Sequence, residues 1–170
     1  MQHIHSFDPI IDPDSRVLIL GSMPGKISLE KGQYYAHPQN RFWDFIYSIF
    51  NTPINSDYEA KKAFLKSRKI ALWDVIKDCQ RSGSSDSKII NPVINDFASL
   101  LAQYPYIKSI LFNGKKAEKL FNQNLNNISG IELKTLPSSS PANARISRDQ
   151  KLAEWEVIKD LVKKCYYYDT

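Results

Sequence analysis

The densest run of chemically able side chains is Tyr34-Tyr35-Ala36-His37-Pro38-Gln39-Asn40-Arg41-Phe42-Trp43. Two adjacent tyrosines just before a helix offer a flat surface on which a nucleobase can stack. Asn40 falls where a helix N-cap is expected, and capping is a sufficient reason for an asparagine there. The same side chain can orient a water through its carbonyl oxygen, although an amide is a poor base. His37 fits an acid, a phosphate contact or a satisfied structural residue, and a lone histidine is most often the last.

Three further segments carry polar groups. Gly21-Ser22-Met23-Pro24-Gly25 lets a ligand approach the backbone closely, or simply makes a tight turn; it matches neither the phosphate loop nor the dinucleotide fingerprint. Asn113, before Gly114, offers a donor and an acceptor that suit the paired polar edge of a base, and also suits a turn. Leu136-Pro137-Ser138-Ser139-Ser140-Pro141-Ala142-Asn143-Ala144-Arg145 holds hydroxyls, backbone donors and one cation, the makings of a phosphate clamp or of an ordinary serine-proline loop. Asp74, Asp78 and Asp86 cluster in sequence. No Ser-His-Asp, metal-spaced histidine or paired-carboxylate pattern stands out.

These segments need strands and helices to bring them together. Four apolar runs read as strands: Arg16–Leu20, Lys69–Val75, Ser109–Phe112 and Glu132–Leu136. The first and third are nearly continuous apolar runs, as expected of parallel strands buried on both faces. Phe42, Phe45, Ile46 and Ile49 have the spacing of one buried helical stripe. A helix is expected to open at Asn91-Pro92 and bury Val93, Phe97, Leu100 and Leu101. A short one is expected from Lys115 to Phe121. Ser147 with Gln150 reads as a capping box for a last helix through Leu152, Trp155, Ile158 and Val162. Ser82, Ser84, Ser85 and Ser87 mark an exposed loop. Strands alternating with helices predict a single α/β domain over residues 1–170. The expected architecture is a three-layer α/β/α sandwich around a mainly parallel four-stranded sheet. Ligands of such sheets sit beyond the carboxyl ends of the strands, where Gly21–Gly25, Asp74, Asn113-Gly114 and Pro137–Arg145 all fall.

Composition narrows the classes. The chain has 170 residues, 23 Lys and Arg against 18 Asp and Glu, and two cysteines, Cys79 and Cys165. Two cysteines make neither a disulfide framework nor a four-thiolate zinc or iron–sulfur site. No apolar run approaches the length of a membrane span, and Met1 to Ile10 lacks a signal-peptide pattern. An intracellular, cytoplasmic protein is expected. Twelve basic and five acidic residues lie between Lys61 and Lys119, a central excess that permits a polyanionic partner without requiring one.

Taken in order, the loop motifs resemble the uracil-DNA glycosylase superfamily. Gly-x-x-Pro-Gly after the first strand, followed by Ala36-His37-Pro38-Gln39-Asn40-Arg41-Phe42-Trp43, is similar to the mismatch-specific branch. Adding Tyr35, Phe112-Asn113-Gly114-Lys115-Lys116-Ala117 and Leu136 through Asn143 brings the pattern closer to the hypoxanthine-DNA (deoxyinosine) glycosylases. The similarity runs over about 130 residues, and its strength lies in four motifs occurring in order.

That resemblance implies an enzyme that flips a deaminated base out of duplex DNA and hydrolyses its N-glycosidic bond without metal or cofactor. A monomer leaving an intact abasic site is expected. Asn40 and Asn113 match the catalytic positions. Gly21, Ser22, Met23, Tyr35 and Asn113 match the base-binding ones, with Tyr35 as the stacking ring. His37, Ser138, Ser139, Ser140, Pro141, Ala142, Asn143 and Arg145 match the DNA-binding ones. Two departures stand out. Met23 occupies the place of a water-positioning asparagine in mismatch-specific relatives, and Ala142 the place of a bulky wedge. Branches with a structural iron–sulfur cluster are excluded by the cysteine count. Uracil in mismatches is the alternative substrate, and a non-catalytic DNA- or nucleotide-binding module the alternative class.

Overall fold

The computed structural model describes residues 1–125, 128–142 and 144–164; Asn143 and Cys165 lie outside the described residues. The chain runs β1 (Gln2–His5), β2 (Val17–Gly21), α1 (Lys26–Lys31), α2 (Phe42–Ile49), α3 (Tyr58–Ser67), β3 (Ile70–Asp74) and β4 (Ile76–Arg81). It continues with β5 (Ile90–Ile94), α4 (Phe97–Gln103), β6 (Ser109–Asn113), α5 (Lys115–Asn124), β7 (Glu132–Leu136), α6 (Arg148–Trp155) and α7 (Val157–Lys164).

The four expected strands form one four-stranded sheet, in the order β3-β2-β6-β7, with every pair parallel. Period-two alternation sends Val17, Ile19, Leu72 and Leu111 to one face, against Phe42, Phe45 and Ile46 of α2, Trp155 of α6 and Ile158 of α7. Leu18, Leu20, Ile110 and Phe112 meet Phe97 of α4 and Ala117 and Phe121 of α5 on the other face. Helices on both faces are why β2 and β6 need uninterrupted apolar sequence: their residues through Leu20 and Phe112 are at most 3% exposed. The expected three-layer α/β/α arrangement is what the chain adopts.

Two expectations are corrected. Asn91-Pro92 does not open a helix: Ile90–Ile94 is β5, the edge of an antiparallel sheet ordered β1-β4-β5. Proline lacks a backbone N–H and is tolerated at such an edge, while Asn91 takes φ +51, which helix geometry forbids. Val93 is 52% exposed, not buried. The helix begins later, capped by the Asp96 side chain accepting from the Ser99 N–H at 3.0 Å. The last helix is also two, α6 and α7, parted at Glu156. Its capping box is present, with Gln150 N–H donating to Ser147 and Ser147 N–H donating to Gln150.

The sheet order places the site. From β2 the chain passes first to β3 on one side and later to β6 on the other, so the connections part above β2 and β6. A crevice opens there, at the carboxyl ends. Gly21 pairs with Asp74 at that level, and Asn113 with Leu136.

Candidate active site

A cleft of about 830 Å³ opens over those strand ends. Its floor is set by contact between neighbouring strands. A Cβ on Gly21 would lie 2.6 Å from Asp74 Oδ1 and 2.7 Å from the Tyr35 hydroxyl, so only glycine lets both side chains close over β2. Asp74 is 3% exposed, and its Oδ2 has no hydrogen-bond partner. Burial, reinforced by the nearby Asp86 carboxylate and opposed by Arg81, pushes its carboxyl up to about 7. Asp74 therefore changes charge near neutral pH, inside a cleft.

Tyr35 takes φ +53, a left-handed conformation that costs a non-glycine residue energy. The turn is held because Tyr34 is buried and the Ala36 N–H donates to Ser28 Oγ at 3.1 Å. The result aims Tyr35 inward. Its ring stacks on Phe42 at 4.2 Å and 23°, and what remains open of it lines the cleft. The hydroxyl is enclosed, and although the Asn113 amide approaches it, no partner meets hydrogen-bond geometry. Burial and the Asp74 charge hold this phenol well above its usual range, as a neutral O–H. Tyr34 is not part of a stacking pair: it is 3% exposed and its hydroxyl donates to the Asp8 carbonyl at 2.8 Å.

Asn40 and Asn113, far apart in sequence, meet through Ser139. Asn113 Nδ2 donates to Ser139 Oγ at 2.8 Å, and Ser139 Oγ donates to Asn40 Oδ1 at 2.9 Å. The amide orientations are fixed by backbone donors: Phe42 N–H points at Asn40 Oδ1 at 2.9 Å, and Ser139 N–H at Asn113 Oδ1, also at 2.9 Å. Asn40 Oδ1 thus receives two donors and has no lone pair left for a water. The group that Asn40 retains for a ligand is its N–H₂.

The opposite wall comes from the serine loop, which does more than mark exposed surface. Ser84 Oγ accepts from the Lys26 N–H at 2.8 Å, and Ser22 Oγ donates to Asp86 Oδ2 at 2.5 Å. Beneath them Arg81, 1% exposed, donates through Nη2 to the Pro24 carbonyl at 2.5 Å and places Nη1 4.0 Å from Asp86. A buried guanidinium between the first loop and two carboxylates ties this wall to the floor.

Gly21, Ser22, Met23, Tyr35, His37, Asn40, Asn113, Ser138, Ser139, Ser140, Pro141 and Ala142 all line this one cleft. Arg145 is exposed and outside its lining, and Asn143 lies outside the described residues. Asp74 was legible only as a rim residue, and Arg81 and Asp86 carried no motif. Away from the cleft, His3, His5 and Asp78 on β1 and β4 bring three possible metal-ligand atoms within 4.8 Å of one another. None of them lines the cleft.

A parallel α/β layer protein with its cleft at the strand switch point belongs to the class that binds its ligand in the crevice at the sheet's carboxyl edge. The sequence profile of the uracil DNA glycosylase superfamily matches residues 9–162, and the chain belongs to that superfamily. It is 42% identical over 154 residues to a protein of Methanosarcina barkeri named hypoxanthine DNA glycosylase, covering 90% of this chain and 96% of that one. A protein of the same name from Methanosarcina acetivorans is 42% identical over 153 residues, covering 89% and 95%. The solution NMR structure of a "putative Uracil DNA glycosylase" from Methanosarcina acetivorans superposes with a TM-score of 0.80 at 40% identity, covering 94% of this chain and 99% of that one.

Proposed function

We propose that this protein hydrolyses the N-glycosidic bond of deoxyinosine in duplex DNA, releasing hypoxanthine and leaving an abasic site. The observation that carries the reading is at the cleft floor, where Asp74 lies beside Tyr35 and its Oδ2 has no hydrogen-bond partner. Hypoxanthine presents an N–H donor next to a carbonyl acceptor. An ionised Asp74 accepts from the first, and the Asn113 amide donates to the second. Adenine shows the reverse, a ring nitrogen acceptor beside an amino donor, and would set acceptor against acceptor over Asp74. Relatives named hypoxanthine DNA glycosylase support the same substrate.

The reaction follows from these parts. Turning the nucleotide out of the stack costs a few kcal/mol, least at a damaged or mismatched pair. The base stacks on the cleft side of Tyr35, while the loop from Ser138 to Ala142 and His37 meet the flanking phosphates. The glycosidic C–N bond breaks with its electrons going to the base, leaving an oxocarbenium-like sugar. Donors at the base carbonyl stabilise that charge as it develops. Asn40 holds the attacking water by donating from its amide to one lone pair; the other bonds to the anomeric carbon, the water's proton passes to solvent, and the departing hypoxanthine anion takes one up. Met23, 7% exposed, supplies apolar wall and no polar group. Lys26, the lysine in the lining, has a 72% exposed side chain and lies 3.9 Å from Glu30, a setting that does not activate an amine as nucleophile. The enzyme of this reading acts as a monomer. Acting on DNA it would work inside the cell; among the described residues no helix is long and apolar enough to cross a membrane.

Duplexes containing one deoxyinosine or deoxyuridine, incubated with the protein and EDTA and then with hot alkali, test this. Strand scission at deoxyinosine is expected, and scission only after alkali. Intact strands with both lesions would remove the glycosylase reading; salt-dependent binding without base release would leave a binding module. Uracil offers the same carbonyl-beside-N–H edge, and the name of the solved relative favours it as a second substrate. Relative single-turnover rates on the two lesions rank them.

A further inference from the structure

Beside the cleft, sharing Ser140 and Pro141 with it, runs a second groove lined by Arg41, Arg148 and Lys151. The charges there do not balance. Arg148 takes the available carboxylates: it binds Asp44 through Nε at 2.7 Å and Nη2 at 2.9 Å, and Asp149 through Nη1 at 3.1 Å. Arg41 reaches Asp44 only at 3.9 Å. Lys151 is 5% exposed, and no hydrogen bond or ion pair to its ammonium occurs among the described residues. Burial, and then the Arg41 charge, lower the hold of Lys151 on its proton.

The Lys151 side chain is buried along its stem, and its ammonium, with no carboxylate of its own among the described residues, opens into the groove beside a guanidinium, which suits an external anion. A lysine whose only task were to cover apolar surface with its stem would carry its head out to water, away from another cation. We propose that Arg41 and Lys151 bind a backbone phosphodiester of the lesion-bearing strand, immediately beside the flipped nucleotide. The groove's position sets which phosphate it takes: Ser140 and Pro141 form the partition, so a strand whose nucleotide enters the cleft passes its next linkage over the groove. Arg41 directly follows Asn40 and its N–H donates to the Ser139 carbonyl at 2.9 Å, so a phosphate held here also fixes the Asn40–Ser139 pair. The inference rests on the glycosylase reading for the identity of its ligand.

The test uses the full chain and its Lys151→Gln, Arg41→Gln and Lys151→Arg variants. Duplex binding is measured against salt, first with undamaged DNA and then with deoxyinosine duplexes in which single linkages near the lesion are uncharged methylphosphonates. Each Gln variant is expected to flatten the slope of log affinity against log salt, by at most about 0.9, the change for the one phosphate the two residues share. Lys151→Arg should restore it. One methylphosphonate position should weaken the parent protein while leaving Lys151→Gln unchanged. Lys151→Gln should melt no lower than the parent, since the ammonium makes no bond to the described residues; a structural lysine would show the opposite. Unchanged salt slopes overturn the proposal. So do equal losses in parent and variant at every methylphosphonate, or loss of inorganic phosphate binding with no change toward DNA. If the parent binds duplex but releases no base, the glycosylase reading fails while the slopes still judge the groove. If it releases base and the slopes do not move, the groove alone fails.

Discussion

The hydroxyl of Ser139 donates to the side-chain carbonyl of Asn40 at 2.9 Å, across 99 residues of chain. Through it the loop after the last strand of the sheet controls an asparagine at the head of α2, and Asn113 closes the link by donating to the same hydroxyl. Ser139 is fully buried, so its removal leaves two amides short of a partner. Ser139→Ala is expected to destabilise by about 1–3 kcal/mol. It should also lower single-turnover cleavage of a deoxyinosine duplex. Asn40→Ala should lower cleavage more than Ser139→Ala, and far more than it lowers binding. The losses should be less than additive in the double variant, because the serine acts in part through the asparagine. Additive losses would separate the two residues.

Gly21→Ala and Gly25→Ala make a matched pair. At Gly21 the new methyl meets Asp74 Oδ1 at 2.6 Å and the Tyr35 hydroxyl at 2.7 Å, both in enclosed side chains. Overpacking of this kind costs about 1–3 kcal/mol and would push the floor groups apart. At Gly25 the nearest atom is Ser84 Oγ at 3.8 Å, ordinary contact, and φ −75 suits any residue. Gly21→Ala should therefore lose most base release and melt lower, and Gly25→Ala should stay close to the parent. Rates from a quenched time course and melting curves check both.

The same two glycines show how far the sequence could be read. Gly21 and Gly25 bracket a loop whose spacing pointed to a ligand, and so did the serines after β7 and the asparagine ending β6. Those are local signals: a run of residues at the end of an apolar strand. Asp74 was legible as a strand-end residue but its charge state was not, because burial, Asp86 and Arg81 set it, and they come together only in the folded chain. Arg81 and the serine loop carried no periodicity and gained their role from meeting the first loop across 57 to 64 residues. Asn40 was read as a water-orienting carbonyl, yet two donors occupy that oxygen, one of them from Ser139. At Asn91-Pro92 a cap-like dipeptide suggested a helix, and pairing with β4 overrode it.

Asp74 predicts how stability varies with pH. Its carboxyl holds a proton up to about 7 in the folded chain, whereas an ordinary aspartate loses it near 3.8. Between those values the folded state binds the extra proton, so stability is greatest at the acid end and falls as pH rises toward 7. Above 7 the ionised, enclosed carboxylate costs on the order of a few kcal/mol. Asp74→Asn removes that dependence. Its melting temperature relative to the parent should climb from pH 5 to pH 8, a difference in which the histidines cancel. A flat difference would mean that Asp74 titrates normally.

Cleavage should move the other way. The carboxylate is the form that accepts the hypoxanthine N–H, so the single-turnover rate is expected to rise through an apparent pKa near 7, set by Asp74. Asp74→Asn should be slow and nearly flat across that range. A parent rate that fell through pH 7 would assign Asp74 as proton donor to the departing base instead.

Tyr35→Phe separates ring from hydroxyl. The ring's stack on Phe42 at 4.2 Å survives the change, and so does the surface offered to a base. The hydroxyl is enclosed without a hydrogen-bond partner, so deleting it removes no bond from the free protein. An unpaired buried hydroxyl costs about 1–3 kcal/mol, and its loss should leave the melting temperature unchanged or raise it. Base release should stay close to that of the parent, because a phenol O–H lies in the plane of its ring and does not reach the edge of a base stacked on that ring. Tyr35→Leu, which removes the flat ring, should weaken binding of the deoxyinosine duplex and slow base release. A Phe variant that loses base release would overturn the stacking role and make the hydroxyl the group that meets the base.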